Sequence, residues 1–145
     1  MNWKNEAIAK LANYEASLRA LDNMQDELAR LKSEFVGVRA QAADQLPRNG
    51  RESRGDAALS NIVHREELKR ALKQTKLWIK TVERALSVLD PEEKLVLQRF
   101  YIHSSKGNVQ LLCTELGVEQ TSVYRRRDNA LRRFTTALYG AAENW

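Results

Sequence analysis

Two long stretches of this chain repeat apolar residues at intervals of three and four, and few folds accommodate that spacing. Between residues 3 and 40 the apolar positions are Leu11, Tyr14, Leu18, Leu21, Met24, Leu28, Leu31, Phe35 and Val38. They form a heptad seam with one three-residue slip after Leu21. Lys, Glu, Asp, Gln, Asn and Arg occupy the other faces, and no Gly or Pro interrupts the run before Gly37. So narrow a stripe suits a coiled-coil partner better than a broad globular core. A second seam, Leu68, Leu72, Thr75, Ile79, Val82, Leu86 and Leu89, lies within residues 57–89. Leu59, Ile62 and Val63 are expected to extend it toward the N-terminus, with Asp56 as the helix cap.

Between the seams, residues 41–56 lose this periodicity. Pro47, Asn49-Gly50 and Gly55 mark them as a flexible polar linker. Two seams joined in this way predict a helical hairpin, or strands of an intermolecular coiled coil. A hairpin alone leaves apolar surface uncovered, so self-association is expected, most simply as a dimer. Prolines number only two and glycines six in 145 residues. A β-rich chain needs more turns than that, so the expected class is all-α.

The remainder reads as shorter helices. Asp90-Pro91-Glu92-Glu93 is a helix start, with Asp as cap, Pro in the first turn and Glu93 at the capping-box position. The helix it opens is expected over 91–103, with Leu95, Val96, Phe100 and Tyr101 on its apolar side. Asn108 is the expected cap of a short helix over 109–116, which Gly117 ends. A last helix is expected over 120–139, with Gly140 as its stop. Residues 108–134 therefore have the spacing of a helix-turn-helix: a short apolar helix, a tight glycine turn and a longer basic helix. Cys113 falls where the two helices would cross closely.

Charge separates along the same lines. The chain carries a net +5. Residues 1–46 hold 6 basic and 7 acidic residues, a net of −1, whereas 120–139 hold five arginines and one aspartate, a net of +4. A basic helix at this place in a helix-turn-helix suits the phosphate backbone of duplex DNA.

The segments ALSVLDPEEKLVLQRFYI and LCTELGVEQTSVYRRRDNALRRF resemble region four of bacterial sigma factors. More closely, they are similar to small phage regulators of the ArpU and RinA type, activators of late-gene transcription. The likeness is strongest over 85–140. It rests on the L-x-x-L-D-x-x-E motif, the Leu-Gly-Val turn, the Ser-Val-Tyr-Arg run and the closing Leu-Tyr-Gly. It implies a helical N-terminal part over 1–40 and 57–89, a variable linker over 41–56, and a sigma-like DNA-binding domain over 90–140. It also implies contact with host RNA polymerase, for which the exposed side of the third helix around Glu92, Lys94 and Gln98 is a candidate. By match to the motif, Gln120, Thr121 and Arg125, with Ser122 beside them, would meet base edges. Tyr124, Arg126 and Arg127 would reach phosphates, and Arg132 and Arg133, two turns further on, would clamp the backbone. Glu119 stands where the family has a Ser or Thr cap, so the helix is expected to start later, near Thr121. Arg126 replaces an apolar residue of the family pattern, and its aliphatic stem would have to pack inward.

Other chemistry has little to stand on. One cysteine excludes an intramolecular disulfide and a four-cysteine zinc site. Cys113 is expected in the core, His64 and His103 on the surface, and Glu66-Glu67 and Glu92-Glu93 at helix starts or on polar faces. No catalytic site, metal site or cofactor is expected. No apolar run approaches a membrane span, and the N-terminus lacks the apolar stretch of a signal peptide, so a cytoplasmic protein is expected. The competing function is a small terminase subunit, which also joins a helix-turn-helix to oligomerising helices, but usually with the DNA-binding module first. A purely structural coiled-coil adaptor would leave the C-terminal arginines unexplained.

Overall fold

The computed structural model describes residues 2–44 and 51–140, and over 38–44 and 51–54 only the course of the backbone. Every regular element among the described residues is helical. In chain order these are α1 (Trp3–Ala12), α2 (Tyr14–Asp44), α3 (Arg51–Ser87), α4 (Pro91–Leu97), a π-helical segment (Gln98–Ile102), α5 (Asn108–Leu116) and α6 (Gln120–Tyr139). Among the described residues no helix is long and apolar enough to cross a membrane.

The single helix expected over 3–40 is divided at Asn13 and continues to Asp44. The cap of α1 is Asn2, whose Oδ1 accepts from the Asn5 N–H at 3.2 Å. At the other end Asn13 turns to φ −94°, ψ 0° while still donating to Ala9 O. Asparagine is a weak helix former, and the slip in the seam lies downstream of it. The linker expected over 41–56 also differs: 41–44 end α2 and 51–56 begin α3, while 45–50 lie outside the described residues. Asp56 is therefore inside a helix and does not cap one. Gln41-Ala42-Ala43 and the residues after Arg51 are adequate helix formers, and Gly55 costs an exposed helix interior only about 1 kcal/mol.

The chain forms two compact units, and they do not follow sequence order. One comprises residues 1–18 and 78–145, the other 19–77. The N-terminal helix is thus part of the unit that holds the C-terminal helices, in place of the separate 1–40 segment expected.

In the first unit, one core is built from Ala7 and Leu11 of α1, Val82 and Ala85 of α3, Leu89, Leu97 of α4, and Ala130, Leu131 and Phe134 of α6. Trp3 adds a ring contact to Tyr139 at 4.7 Å between centroids. A second core joins Val96 of α4, Leu112 of α5 and Val123 of α6, with Phe100, Cys113 and Val118 against it. The π segment serves both cores. Its extra residue per turn, closed by His103 N–H to Gln98 O at 2.7 Å, lets Phe100 pack on the second core while Tyr101 and Ile102 pack on the first.

In the second unit, Leu21, Met24, Leu28, Leu31 and Phe35 of α2 and Leu68, Leu72 and Thr75 of α3 are at least half-buried. Toward the N-terminus of α3 the shielded face runs through Ala58, Asn61 and Arg65, while Leu59, Ile62 and Val63 are exposed by 59%, 39% and 49%. Counting back from Leu68 in steps of three, four and three reaches 65, 61 and 58. Helical phase, not residue type, selects the buried side. Asn61 Nδ2 donates to Leu31 O at 2.8 Å, and the Arg65 guanidinium lies 4.5 Å from the Phe35 ring centre.

Leu11 is fully buried, so Leu11→Ala should lower unfolding free energy by about 2–5 kcal/mol. Leu59→Ala should change it by less than about 0.5 kcal/mol. Denaturant titration compares them, and equal effects would contradict the assignment of α1 to the first core.

Tyr14 gives a pH test. Its hydroxyl donates to Glu83 Oε1 at 2.7 Å, and burial, then that hydrogen bond and the carboxylate charge, push its pKa up to about 12. The fold favours the neutral phenol. Its contribution is complete below the ordinary tyrosine pKa of about 10 and is lost as pH rises through about 12. Stability should therefore fall over that window in the parent chain, and more shallowly in Tyr14→Phe.

Candidate nucleic-acid interface

The segment from α5 to α6 is set by its turns. Gly107 takes φ +77° just before α5. It occupies the cap position assigned from sequence to Asn108, which instead is the first residue of α5. Asn108 Nδ2 donates to Arg99 O at 3.1 Å, fastening the helix start to the π segment. Arg99 pairs in turn with Glu115 at 2.9 Å. At the far end Gly117 takes φ +65°, ψ 36°, and the N–H groups of Gly117 and Val118 both reach Cys113 O. That left-handed turn ends α5 and lets α6 begin three residues later, at Gln120 and not at Thr121. Glu119 adopts the extended cap conformation without a side-chain cap bond, so the start of α6 is set by the turn and by burial of Val123.

The inner face of α6 is Val123, Ala130, Leu131, Phe134 and Thr135, all fully buried. Thr135 Oγ1 is satisfied by Leu131 O at 2.7 Å. Helical geometry then dictates what faces outward. Gln120, Thr121, Tyr124 and Arg125 are exposed on the first turns, and Arg132 is exposed further along. Thr121 and Arg125 are four residues apart, and Arg132 is seven beyond Arg125, so the three share a side.

Ser122, Arg126, Arg127 and Arg133, also named from sequence, make contacts within the chain, as Tyr124 does with the Phe100 ring at 6.1 Å between centroids. Ser122 is half-buried, with Oγ 3.4 Å from Arg126 Nε. Arg126 pairs with Glu92 of α4. Arg127 is half-buried, 5.2 Å from the Phe100 ring centre and 5.1 Å from that of Tyr124, and its Nε donates to Asp128 at 3.1 Å. Arg133 pairs with Glu93, lies 3.7 Å from Asp90, and donates to Val88 O at 3.0 Å. Glu93 also accepts the Asp90 N–H at 3.0 Å, as the capping position predicts. An open cleft of about 160 Å³ lies between α4 and α6, lined by Glu92, Glu93, Val96, Arg126 and Asn129.

Sequence reasoning missed two groups. Leu111, 45% exposed, and the neighbouring Gln110 and Thr114 form the outer side of α5. The signal was available, because Leu111 falls outside the stripe Val109, Leu112, Cys113, Leu116. The α4 carboxylates as partners of α6 arginines had no local signal, since 34 residues separate Glu92 from Arg126. Cys113 packs against the second core, His64 is exposed, and His103 Nε2 lies 3.0 Å from Glu15 Oε1.

No family model, curated protein or solved structure matches the chain.

A Cβ on Gly117 would meet open space, so its φ of +65° is the whole cost of a side chain there. Gly117→Ala should destabilise the fold by about 1–2 kcal/mol, and Gly117→Asn by less, because asparagine tolerates the left-handed region. Thermal unfolding orders the pair.

Proposed function

We propose that this protein is a sequence-specific DNA-binding regulator of the ArpU and RinA type, acting on phage late genes through promoter DNA and host RNA polymerase. Residues 90–140 would be its sigma-like helix-turn-helix domain, with α6 as the recognition helix. The supporting observation is the side of α6 left outward by its buried face. Gln120, Thr121, Tyr124 and Arg125 stand exposed on its first turns, after a tight glycine turn from a core-anchored short helix. A helix presented in this way can place its N-terminal side chains against base edges of the major groove. Arginine there can donate to guanine O6 and N7, and glutamine can accept from adenine N6 while donating to N7.

The long helices α2 and α3 would form the hairpin that carries this domain. Exposed Val36, Leu59, Ile62 and Val63 support self-association, in the simplest case as a dimer that doubles the contacts on a two-fold operator. Polymerase contact rests on the sequence resemblance.

Arg125, Arg132 and Lys106 are exposed cations of this domain. If they neutralise about three phosphates per protomer, affinity for duplex DNA should fall with salt at a log–log slope of about −3 per protomer. Arg125→Ala should cost about 1–3 kcal/mol on the cognate site and little on random DNA. Arg132 lies about 10 Å further along the helix, where α6 would pass the backbone. Arg132→Ala should weaken both duplexes alike and make the slope shallower by about one. Equal losses on both duplexes for Arg125→Ala would refute the groove assignment, and a flat salt dependence would refute DNA binding itself.

A further inference from the structure

Five arginines fall within residues 125–133 of α6, yet their surroundings divide them. Arg126 is the informative case. It follows the outward Arg125 directly, on the turns that the proposed function brings to DNA. Its Nη1 meets Glu92, the second residue of α4, and its Nε faces Ser122 Oγ at 3.4 Å. The side chains of Arg126 and Glu92 are 35% and 48% exposed, and both line the open cleft between α4 and α6. The guanidinium therefore has room to turn, and solvent reaches the pair. Arg133 differs in being tied to a backbone carbonyl as well as to carboxylates.

We infer that Glu92 is a built-in competitor for phosphate, holding Arg126 out of the set of DNA-contacting cations. The inference rests on the DNA-binding reading of α6. In solvent a single ion pair of this kind is weak, and alone it would not keep an arginine from a phosphate. The second term decides. If Arg126 left for the backbone, it would leave a bare carboxylate beside a polyanion, and that repulsion offsets the new contact. The exchange gains one ionic contact, loses another and exposes a like charge. Replacing Glu92 by a neutral residue of the same shape removes both the competitor and the repulsion. Arg126 then joins the phosphate contacts.

The salt slope reads this directly, because it counts phosphates neutralised and not the stability of the fold. A labelled duplex of mixed sequence is titrated with the full-length chain at several salt concentrations. The variants are Glu92→Gln, Arg126→Ala, their combination, and Arg132→Ala as the reference for loss of one contact. Arg126→Ala should leave the parent slope unchanged. Glu92→Gln should steepen it by about one and tighten binding about two- to five-fold at low salt. The combined variant should return to the parent slope.

A slope made shallower by Arg126→Ala alone would overturn the inference, since Arg126 would then already contact phosphate beside Glu92. An equal gain from Glu92→Gln with and without Arg126→Ala would also overturn it, as removal of a charge acting through space. If Arg132→Ala flattens the slope while Glu92→Gln does nothing, the inference fails and DNA binding stands. If no variant, nor the parent chain, binds duplex in a salt-dependent way, both fall together.

Discussion

Burial of one side of α6 is the constraint on which the rest of the first unit depends. Phe134, Leu131 and Ala130 join α1, the end of α3 and α4 in one core, while Val123 joins α4 and α5 in the other. A single 20-residue helix therefore crosses both cores and registers them against each other. Full burial of a Phe or Leu contributes roughly 1.5–3 kcal/mol, and no other element supplies two such side chains to one core and a further anchor to the second. Once that side is buried, the outward positions follow from 100° per residue. The chemistry offered to a partner is thus a consequence of packing.

Local chemistry made much of this legible in the sequence. Asp90, Pro91 and Glu93 announce the start of α4, and Glu93 holds the Asp90 N–H as expected. Gly117 and Gly140 close their helices with positive φ, and the bounds of α6 follow from Gly117 on one side and Gly140 on the other. Each of these features depends on residues within about one helical turn. Elsewhere helical position outweighs residue type. Leu59, Ile62 and Val63 look like a seam, but the phase set by Leu68 and Leu72 passes through Asn61 and Arg65. Asn108 looks like a cap, but Gly107 precedes it and takes the left-handed conformation a cap side chain does not need.

Long-range partnerships had no such signal. Nothing near Glu92 or Glu93 marks them as partners of arginines more than thirty residues away; both are equally good residues for the first turn of a helix, where they favour the dipole. The grouping of residues 1–18 with 78–145 is of the same kind. Periodicity shows that Leu11 and Leu18 lie on one stripe, but not that Leu11 belongs to a core with Phe134 while the stripe continues into another unit. The π segment is hidden for a related reason. Its sequence, Gln-Arg-Phe-Tyr-Ile, is compatible with an ordinary helix, and only the demand of two cores for adjacent aromatic residues distinguishes it.

The same distinction bears on what a basic helix can offer. A net +4 over 120–139 counts arginines by number and not by commitment. Arg127 lies against two aromatic rings and Asp128, Arg133 meets two carboxylates and a carbonyl, and Arg126 meets Glu92. These three fasten α6 to its neighbours through groups that would otherwise attract water or a partner. Each such tie is weak in solvent, but each also neutralises charge on the face where it sits. The effective electrostatic footprint is therefore smaller than the composition suggests, and it is concentrated on the side of Thr121 and Arg125. A narrow footprint lowers indiscriminate attraction to any phosphate chain, which scales with the number of cations presented. If α6 reads DNA as proposed, it would leave a larger share of the binding to side chains that can tell one base from another. In a recognition helix, internal ion pairs of this kind trade affinity for selectivity.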